Sequence, residues 1–516
     1  MTTEHILMIT AMAIYLLGMV YIGIRTSRST KNTDDFYLGG RKLGPVVTAM
    51  SAEASDMSGW LLMGLPGVAY FTGLADPFWT ALGLAIGTWA NWFLVARRLR
   101  RYSEELGAVT LPDFFQKRFG GSGKSLLTLA AVIIVVFFIP YTASGFAACG
   151  KLFSNLFGID YHAAMIVGAA VIAAYTMTGG FTAASTTDLI QSFVMSGALI
   201  FVLVFGVQTA GGLDAVASNA ANIAGYLDLT KMANLATGAA STYGPITILS
   251  TLSWGLGYFG MPHVLLRFMA IQDDSKLKIS RRIATVWVVI SMAVAVCIGI
   301  IGYSMSVAGA IPFFGSASAA ENLIVQVANL LSKKGALFAL LAGVILSGIL
   351  ASTMSTADSQ LLAAASSVSE NLMDGVLGIK LDAKKKLSVA RITVACISLL
   401  GIILAWDPNS SVFQIVSFAW AGFGAAFSPV MLCALFWRRT TRQGALAGML
   451  AGGAMVFIWE YIVTPFGAAN GIAALTIYEL MPAFLTAIAA IVIVSLLTAK
   501  PEQAVTDSFD KMKGIL

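Results

Sequence analysis

The chain has 516 residues, of which 58% are hydrophobic and 11% are charged, and its mean hydropathy is +0.82. So much apolar surface cannot be buried inside a water-soluble globule, so lipid is the expected solvent. The formal net charge of +6 is not evidence for nucleic-acid binding, because basic residues beside membrane spans set topology.

The sequence predicts an all-α polytopic membrane protein. A bilayer core of about 30 Å requires roughly 20 mostly apolar residues per helix, and about thirteen segments meet this requirement. In chain order they are 6–24, 45–70, 75–96, 125–149, 161–177, 189–208, 242–265, 283–309, 336–366, 389–405, 411–437, 443–464 and 472–498. The first segment lacks a basic flank and a small-residue cleavage site, so it is interpreted as a retained span.

The connections between these segments differ in charge. All but four of the 32 lysines and arginines fall in alternate connections, namely 25–42, 97–124, 267–282, 380–391, 438–442 and the tail from Lys500. By the positive-inside rule these connections are cytoplasmic. The sequence therefore predicts a cell-membrane protein with its N-terminus outside and its C-terminus in the cytoplasm.

Two spans contain polar, glycine-rich interruptions. They are "ASDMSGWLLMGLPG" at 54–67 and "STLSWGLGYFGMPH" at 250–263, and they lie five spans apart. In lipid, a helix breaks only where protein or a water-filled cavity satisfies its backbone. Because five is odd, two five-helix units would be inverted relative to each other, as in many secondary transporters. The alternative is a pair of kinked packing helices whose glycines allow close contact.

A polar stripe crosses another span. Ser352, Ser355, Thr356 and Ser359 recur at helical spacing in "GILASTMSTADSQ", so their hydroxyls lie on one helix face. Such oxygens suit a hard cation like sodium. The alternative is that each hydroxyl only bonds a carbonyl of its own helix.

The interrupted spans also carry acids and aromatic residues. An ionised Asp56 at the bilayer centre costs about 2.5–3.5 kcal/mol or more, so it requires a cation, a partner or water. For Glu53 three interpretations stay open: a protonated acid, an acid facing a vestibule, or a second cation or proton site. Trp254, Tyr258 and Pro262 are spaced four apart, which predicts one helical face for a small apolar ring or an ordinary packing stripe.

Several strings resemble the sodium/solute symporter family. They are "SDMSGWLLMGLPG", "GLGYFGMPHVLLRFM", "MSTADSQLL" and "AWAGFGAAF…RQGALAGM", and the similarity extends from "STKNTDDFYLGGRKLGP" at 30–45 to the last span. The resemblance implies one membrane domain over 1–516 with a LeuT-type inverted repeat of five plus five helices. Its parts would be an extra helix at 6–24, repeats at 45–208 and 242–437, two helices within 443–498, and a tail at 499–516.

The resemblance also implies a function and a site. It implies sodium-coupled uptake of a small solute, with L-proline the expected solute, no enzymatic activity and no nucleic-acid partner. Sodium would bind the carbonyls of Ala54 and Met57 and the oxygens of Ser352, Ser355 and Thr356. The solute would contact Ser55 (through its main chain at a helix N-terminus), Trp60, Gly64, Tyr141, Trp254, Tyr258 and Pro262. Asp56, Ser58, Arg41 and Asp188 would be linked to sodium or to gating.

Some alternatives remain at this point. Arg41 also satisfies the positive-inside rule, and Asp188 in "STTDLIQS" also fits an exposed helix N-cap. The same fold could carry pantothenate, a sugar, a short carboxylate or another amino acid. A channel or sensor would differ by conducting without saturable exchange or by adding a soluble output domain.

Overall fold

The computed structural model describes residues 2–27, 37–178, 180–380 and 382–515. The regular secondary structure of the described residues is helical apart from an isolated parallel bridge between Leu43 and Ile271 and one antiparallel hairpin, β1 (Lys231–Asn234) and β2 (Ala239–Thr242), in which Lys231 pairs with Thr242. This hairpin lies in a connection between spans and was not predicted. Gly238, with φ of +66°, lies in its turn and supplies the left-handed conformation needed there.

The α-helices follow in chain order. They are α1 (Thr3–Ser27), α2 (Pro45–Asp56), α3 (Leu65–Thr72), α4 (Ala75–Leu94), α5 (Ala96–Glu105), α6 (Leu111–Phe119), α7 (Ser125–Phe157), α8 (Tyr161–Thr178), α9 (Phe181–Thr209), α10 (Leu213–Ala221), α11 (Pro245–Leu252), α12 (Pro262–Ala270), α13 (Leu277–Val307), α14 (Ala317–Ala320), α15 (Leu323–Ser332), α16 (Ala336–Ser366), α17 (Ala383–Leu404), α18 (Val412–Phe436), α19 (Arg442–Ile458), α20 (Thr464–Ala469), α21 (Leu480–Leu497) and α22 (Gln503–Ile515).

Tighter and wider turns connect or extend some of these helices. The 3₁₀ turns are Gly39–Arg41, Ser253–Gly260, Asp274–Lys276 and Ala473–Leu475, and the π-helical turns are Trp60–Gly64, Ser367–Val376 and Trp459–Val463. Two of them lie in the interrupted spans predicted from the sequence. We call 45–72 the first broken span and 245–270 the second broken span.

Within the described residues, nine helices are long and apolar enough to cross a bilayer. The pair α4 and α5, bent by 42°, brings the count to ten if it forms one span. The three other predicted segments, 45–70, 161–177 and 242–265, are also largely helical, but they are broken or short. A polytopic all-α membrane protein is therefore confirmed, while the count of thirteen stays a prediction.

Three predicted boundaries differ from the structure by eight residues: the end of the fourth segment (149, against Phe157), the start of the sixth, and the start of the thirteenth (472, against Leu480). The sixth segment was predicted to begin at 189, whereas α9 begins at Phe181. The first turns of α9 contain buried polar residues such as Ser185 and Thr187. These side chains face protein and not lipid, and hydropathy cannot distinguish the two surroundings.

The helices pack in reciprocal pairs. Helix α3 of the first broken span packs on α13, and the 3₁₀ turn of the second broken span packs on α4. Likewise α7 packs on α18, and α9 packs on α16. If each span of a pair is exchanged for the span five positions away in the chain, the first of these pairs becomes the second, and the third becomes the fourth. This is the packing expected of an inverted repeat.

The basic connections meet at one end of the bundle, which we call the basic side. Arg97 and Arg101 both pair with Asp274, at 3.1 and 2.7 Å. The tail helix α22 docks there too, because Arg438 donates three hydrogen bonds of 2.8–3.0 Å to Asp510. Connections that are distant in sequence but similar in charge thus lie together.

Candidate functional site

The first broken span is interrupted at its centre. Helix α2 ends at Asp56, and Met57 leaves helical geometry with φ of −79° and ψ of 74°. The Ser58 hydroxyl accepts a 3.4 Å hydrogen bond from the Trp60 main-chain N–H, where a π-helical turn begins. All of these residues are buried. The break therefore exposes main-chain polar groups inside the protein, where no lipid reaches them.

Oxygens from α16 meet this break. The Ser355 hydroxyl lies 2.7 Å from the Ala54 carbonyl oxygen, and the Thr356 hydroxyl lies 3.4 Å from the same oxygen. The Ser352 hydroxyl instead bonds the Ile349 carbonyl of its own helix at 2.8 Å. Three of the predicted sodium ligands thus converge across two helices, whereas the Ser352 side chain is engaged within one. Oxygen ligands of this kind suit a hard monovalent cation.

Asp56 lies at the centre of the site and is fully buried. One of its carboxylate oxygens accepts a 2.7 Å hydrogen bond from the Tyr258 hydroxyl, and its main-chain carbonyl accepts one of 3.2 Å from the Tyr141 hydroxyl. Its other carboxylate oxygen has no hydrogen-bond partner and lies 3.8 Å from Nε2 of His263. Asp56 therefore joins both broken spans and α7.

An aromatic cluster lies beside the break. The Trp254 ring stacks on Tyr478 with centroids 4.9 Å apart, and it lies 6.2 Å from Trp60 and 5.5 Å from Phe413. Gly64 permits this packing, because a Cβ there would lie 3.1 Å from the Cβ of Phe413. The cluster forms an apolar wall of the kind that a small ring packs against.

The sequence prediction was wrong about one detail of this wall. Trp254, Tyr258 and Pro262 do not share a helical face, because Ser253–Gly260 is a 3₁₀ turn and Pro262 starts a separate helix. With three residues per turn, a spacing of four rotates the side chains apart. Trp254 therefore points to the aromatic cluster and Tyr258 to Asp56.

Ser55 also differs from its predicted role. It lies in the last turn of α2, and its hydroxyl bonds the Ala52 carbonyl at 2.9 Å. Its N–H is therefore not at a helix N-terminus, where free donors occur. The new helix start follows at Ser58 and Trp60, on the other side of the break.

A buried ion pair closes the basic side of the site. The Arg267 guanidinium lies 3.1 Å from Asp188 and donates to the hydroxyls of Ser51 (3.0 Å) and Ser359 (2.5 Å). Ser51 also donates to Asp188 at 2.6 Å. Asp188 lies inside α9 and is fully buried. The alternative of an exposed N-cap is thus wrong, and the aspartate connects both broken spans to α9 and α16.

Arg41 holds a second set of contacts on the basic side. Its guanidinium donates to the carbonyls of Met269 (2.6 Å) and Ala108 (2.7 Å) and to the Ser103 hydroxyl at 3.1 Å. Its own φ is +55°, a conformation that side chains other than glycine seldom adopt. These contacts fix Arg41 between α5, the connection from α5 to α6, and the end of α12, so it does more than contribute charge.

The opposite end of the site is closed by residues that the sequence prediction missed. Lys151 of α7 lies 2.5 Å from Glu321, and the two side chains are only 4% and 1% exposed. Glu321 also accepts from the Ser411 hydroxyl at 2.8 Å and from the main-chain N–H groups of Val412 and Phe413, both at 3.1 Å. It thereby caps α18, where negative charge is favourable.

The structure thus brings most of the predicted site residues together at the first break. Met57, Trp60 and Gly64 are buried there, and Tyr141 bonds the break from α7. Pro262 is buried at the start of α12, and Arg41 and Asp188 lie towards the basic side. Trp420 was missed: its indole N–H donates to the Trp254 carbonyl at 2.8 Å. It lies inside the string "AWAGFGAAF", which was the available signal.

Comparison with known proteins shows which family the chain resembles. The sequence profile of the Sodium:solute symporter family matches residues 36–452. The chain is 43% identical to a sodium/proline symporter of Haemophilus influenzae, covering 96% of each chain. It is 40% identical to the high-affinity proline transporter PutP of Bacillus subtilis, covering 95% of this chain and 98% of that one.

Solved structures share the fold. A Na⁺-coupled sialic acid symporter in a substrate-bound, outward-open state matches 96% of this chain with a TM-score of 0.78 at 18% identity. Mhp1, a nucleobase-cation-symport-1 family transporter solved in a closed conformation, matches 93% with a TM-score of 0.54 at 14% identity. The LeuT-type helical fold is therefore confirmed. With a family profile over most of its length and relatives at about 40% identity, the chain belongs to the sodium:solute symporter family.

Proposed function

We propose that this chain carries L-proline into the cell together with sodium, by alternating access through the first broken span. The observation that carries the proposal is the convergence of the Ala54 carbonyl with the hydroxyls of Ser355 and Thr356, directly beside a buried aromatic wall. Relatives 40–43% identical over nearly the whole chain are named as sodium/proline symporters and proline transporters. The protein is thus a multi-pass membrane transporter and not an enzyme.

The site supports sodium as the coupling ion. Ala54, Ser355 and Thr356 would supply three oxygens, and the carbonyl of Met57 would supply a further one from the break. Because these ligands come from α2 and α16, an ion bound there ties the first broken span to the neighbouring helix. Ser352 would contribute only after its hydroxyl leaves the Ile349 carbonyl.

The wall supports a small cyclic solute. Proline has an apolar ring for Trp254 and Trp60, while its carboxylate requires donors such as the N–H groups where the second half of the span begins. A flexible chain would lose more rotamer freedom on binding. Proline also carries no net charge, so moving it across the bilayer does no electrical work.

The energetics permit one sodium per proline. An ion that moves down about 100 mV releases about 2.3 kcal/mol, and a tenfold gradient adds about 1.4 kcal/mol. The total of about 3.7 kcal/mol supports an accumulation of about 500-fold. A single coupled sodium is therefore sufficient for concentrative uptake.

We further propose the topology and the repeat boundaries. The basic side would face the cytoplasm, with the N-terminus outside and the C-terminal tail inside. The inverted repeats would span 45–208 and 242–437, with the extra helix at 6–24, two further helices within 443–498 and the tail at 499–516. The reciprocal packing of α3 on α13 and of the second broken span on α4 supports this division.

The decisive experiment is uptake of labelled solutes into proteoliposomes, with and without an inward sodium gradient. The panel should contain proline, acyclic amino acids, pantothenate, a sugar and a short carboxylate. We expect sodium-dependent uptake of proline that excess unlabelled proline abolishes. Uptake of another solute that proline does not inhibit would show that the solute assignment is wrong.

Side-chain truncation tests the aromatic wall. Trp254→Ala should raise the half-saturation constant for proline about tenfold or more, because an aromatic contact of about 1.5 kcal/mol is lost. Tyr258→Phe keeps its ring but loses the hydroxyl bonded to Asp56, so it should change the sodium dependence more than the proline dependence. Trp89→Ala is the matched control, since Trp89 is 47% exposed on the outer face of α4. If the half-saturation constant for proline is the same in all three variants, the proposed aromatic wall is contradicted.

A further inference from the structure

A second group of buried oxygens lies where the first broken span faces α4. Glu53 precedes Asp56 by three residues on α2, so the two carboxylates lie on adjoining positions of one helix surface. One oxygen of Glu53 accepts a 3.0 Å hydrogen bond from the Trp92 indole N–H. Its other oxygen, and one oxygen of Asp56, have no hydrogen-bond partner.

Helix α4 contributes two further oxygens. The Asn91 side-chain amide donates to the Tyr258 carbonyl at 2.9 Å, which leaves the Asn91 side-chain oxygen without a partner. The Thr88 hydroxyl, one turn earlier, is also unpartnered. Both residues are 1% exposed. Tyr258 holds the group together, because its hydroxyl bonds Asp56 and its carbonyl bonds Asn91.

Close packing keeps these oxygens in place. A Cβ on Gly87 would lie 2.3 Å from the Gly255 carbonyl oxygen, so α4 and the 3₁₀ turn of the second broken span are in direct backbone contact. Trp92 also packs on Phe268 of α12, with ring centroids 4.4 Å apart. The oxygens therefore belong to a rigid interior, where unpaired polar groups are costly.

The two carboxylates of this group have few basic neighbours. Glu53 and Asp56 are 1% and 0% exposed, and among the described residues neither forms an ion pair with a lysine or an arginine. Arg267 is engaged by Asp188. Nε2 of His263 lies 3.8 Å from the unpaired oxygen of Asp56. Two buried carboxylates and neutral oxygens, to which no described lysine or arginine is paired, form an environment that a hard cation would stabilise.

We propose that Glu53, Asp56 and Asn91 form a second sodium site, with Thr88 completing it from the same helix. The proposal rests on sodium being the coupling ion, as proposed above, and extends it from one site to two. The first site uses α2 and α16, whereas the second uses α2 and α4. Both sites share the first broken span, so filling each one ties that span to a different neighbour.

The site has a consequence for accumulation. At zero membrane potential and a tenfold sodium gradient, each coupled ion contributes about a tenfold factor. Two ions would therefore permit about 100-fold accumulation of proline, against about tenfold for one. A carboxylate at position 53 would thus increase the concentrating power of the transporter.

Direct binding of ²²Na⁺ to the purified, full-length protein tests the proposal without using transport. We expect two sodium ions per chain in the unaltered protein and one in Glu53→Gln. Asn91→Ala removes an oxygen without changing charge, and it should weaken the second binding event tenfold or more. Glu460→Gln, the same chemical change in the π-helical turn after α19, should still bind two ions.

The outcomes separate the two proposals. Combining Ser355→Ala and Thr356→Ala should also leave one ion, and adding Glu53→Gln to that pair should leave none. One ion per chain in the unaltered protein, or two in Glu53→Gln, would overturn the second site. If Glu53→Gln does not fold, Asn91→Ala decides: an unchanged affinity for the second sodium ion in that variant would overturn the second site. Two bound ions without any proline uptake would leave the site standing and refute the proposed solute.

Discussion

Removing the charge of Glu321 should open the end of the site opposite the basic side. Glu321→Gln leaves the Lys151 ammonium, whose side chain is 4% exposed, without its carboxylate. It also weakens the acceptor for the N–H groups of Val412 and Phe413. Breaking a buried ion pair from one side costs about 3–5 kcal/mol. The closed arrangement should therefore lose a factor of about 100 or more relative to an open one in which Lys151 is hydrated.

Thiol modification measures this change. Val412→Cys places a thiol on a fully buried residue whose main-chain N–H donates to Glu321. The four native cysteines are replaced in this background. The reaction of the introduced thiol with a water-soluble thiol reagent should be at least tenfold faster with Glu321→Gln. Adding Lys151→Met removes the unpaired charge, so the reaction rate of the cysteine should return most of the way to its value without Glu321→Gln. A rate changed less than threefold by Glu321→Gln would show that the ion pair does not keep this end closed.

Three further perturbations address the centre and the basic side. Ser355→Ala and Thr356→Ala should each raise the sodium half-saturation constant about tenfold, because each deletes one oxygen ligand. If the sodium dependence of proline uptake is unchanged in both variants, these hydroxyls serve only helix packing. Asp56→Asn should raise the sodium half-saturation constant strongly and lower the melting temperature only slightly. A lower melting temperature with an unchanged sodium half-saturation constant would show that Asp56 is not part of the ion path. Asp188→Asn leaves Arg267 buried without its carboxylate, so a cysteine introduced on the basic side should react faster with a thiol reagent. An unchanged rate would show that the Arg267–Asp188 pair does not close this side.

Polarity within apolar runs predicted the centre of the site. The strings around Asp56 and Tyr258 carry glycines, hydroxyls and acids that lipid does not tolerate, so both breaks were visible without a structure. The hydroxyl spacing placed Ser355 and Thr356 on one face, and that face does reach the Ala54 carbonyl. These features depend on one helix at a time, which is why periodicity was sufficient.

Contacts between distant segments were not predictable in this way. Lys151 and Glu321 are 170 residues apart and lie in stretches with no unusual pattern. Trp92, which holds Glu53, was an ordinary aromatic residue in an apolar span. The spacing of four between Trp254 and Tyr258 was misleading, because the chain forms a 3₁₀ turn where it packs closely against α4. Tertiary contact decides such details, and a single sequence does not record it.

The two halves of the first broken span are tied to opposite closures. In α2, Ser51 bonds both members of the Arg267–Asp188 pair. In α3, Gly67 packs so closely on α14 that a Cβ there would lie 2.8 Å from the Glu321 main-chain nitrogen. Because helical hydrogen bonding is interrupted between these halves, either half can tilt without forcing the other to move.

This arrangement would couple bound ions to access. Ligands bound at the break would contact both halves of the span, while the closures at the two ends each hold one half. Sodium between the Ala54 carbonyl and α16 would fix the end of α2, which also carries Ser51 of the basic closure. Filling the site should therefore favour a closed basic side and leave the opposite side free to open for the solute. Release of sodium would remove that restraint, so the same contacts that bind the ion also determine which end opens next.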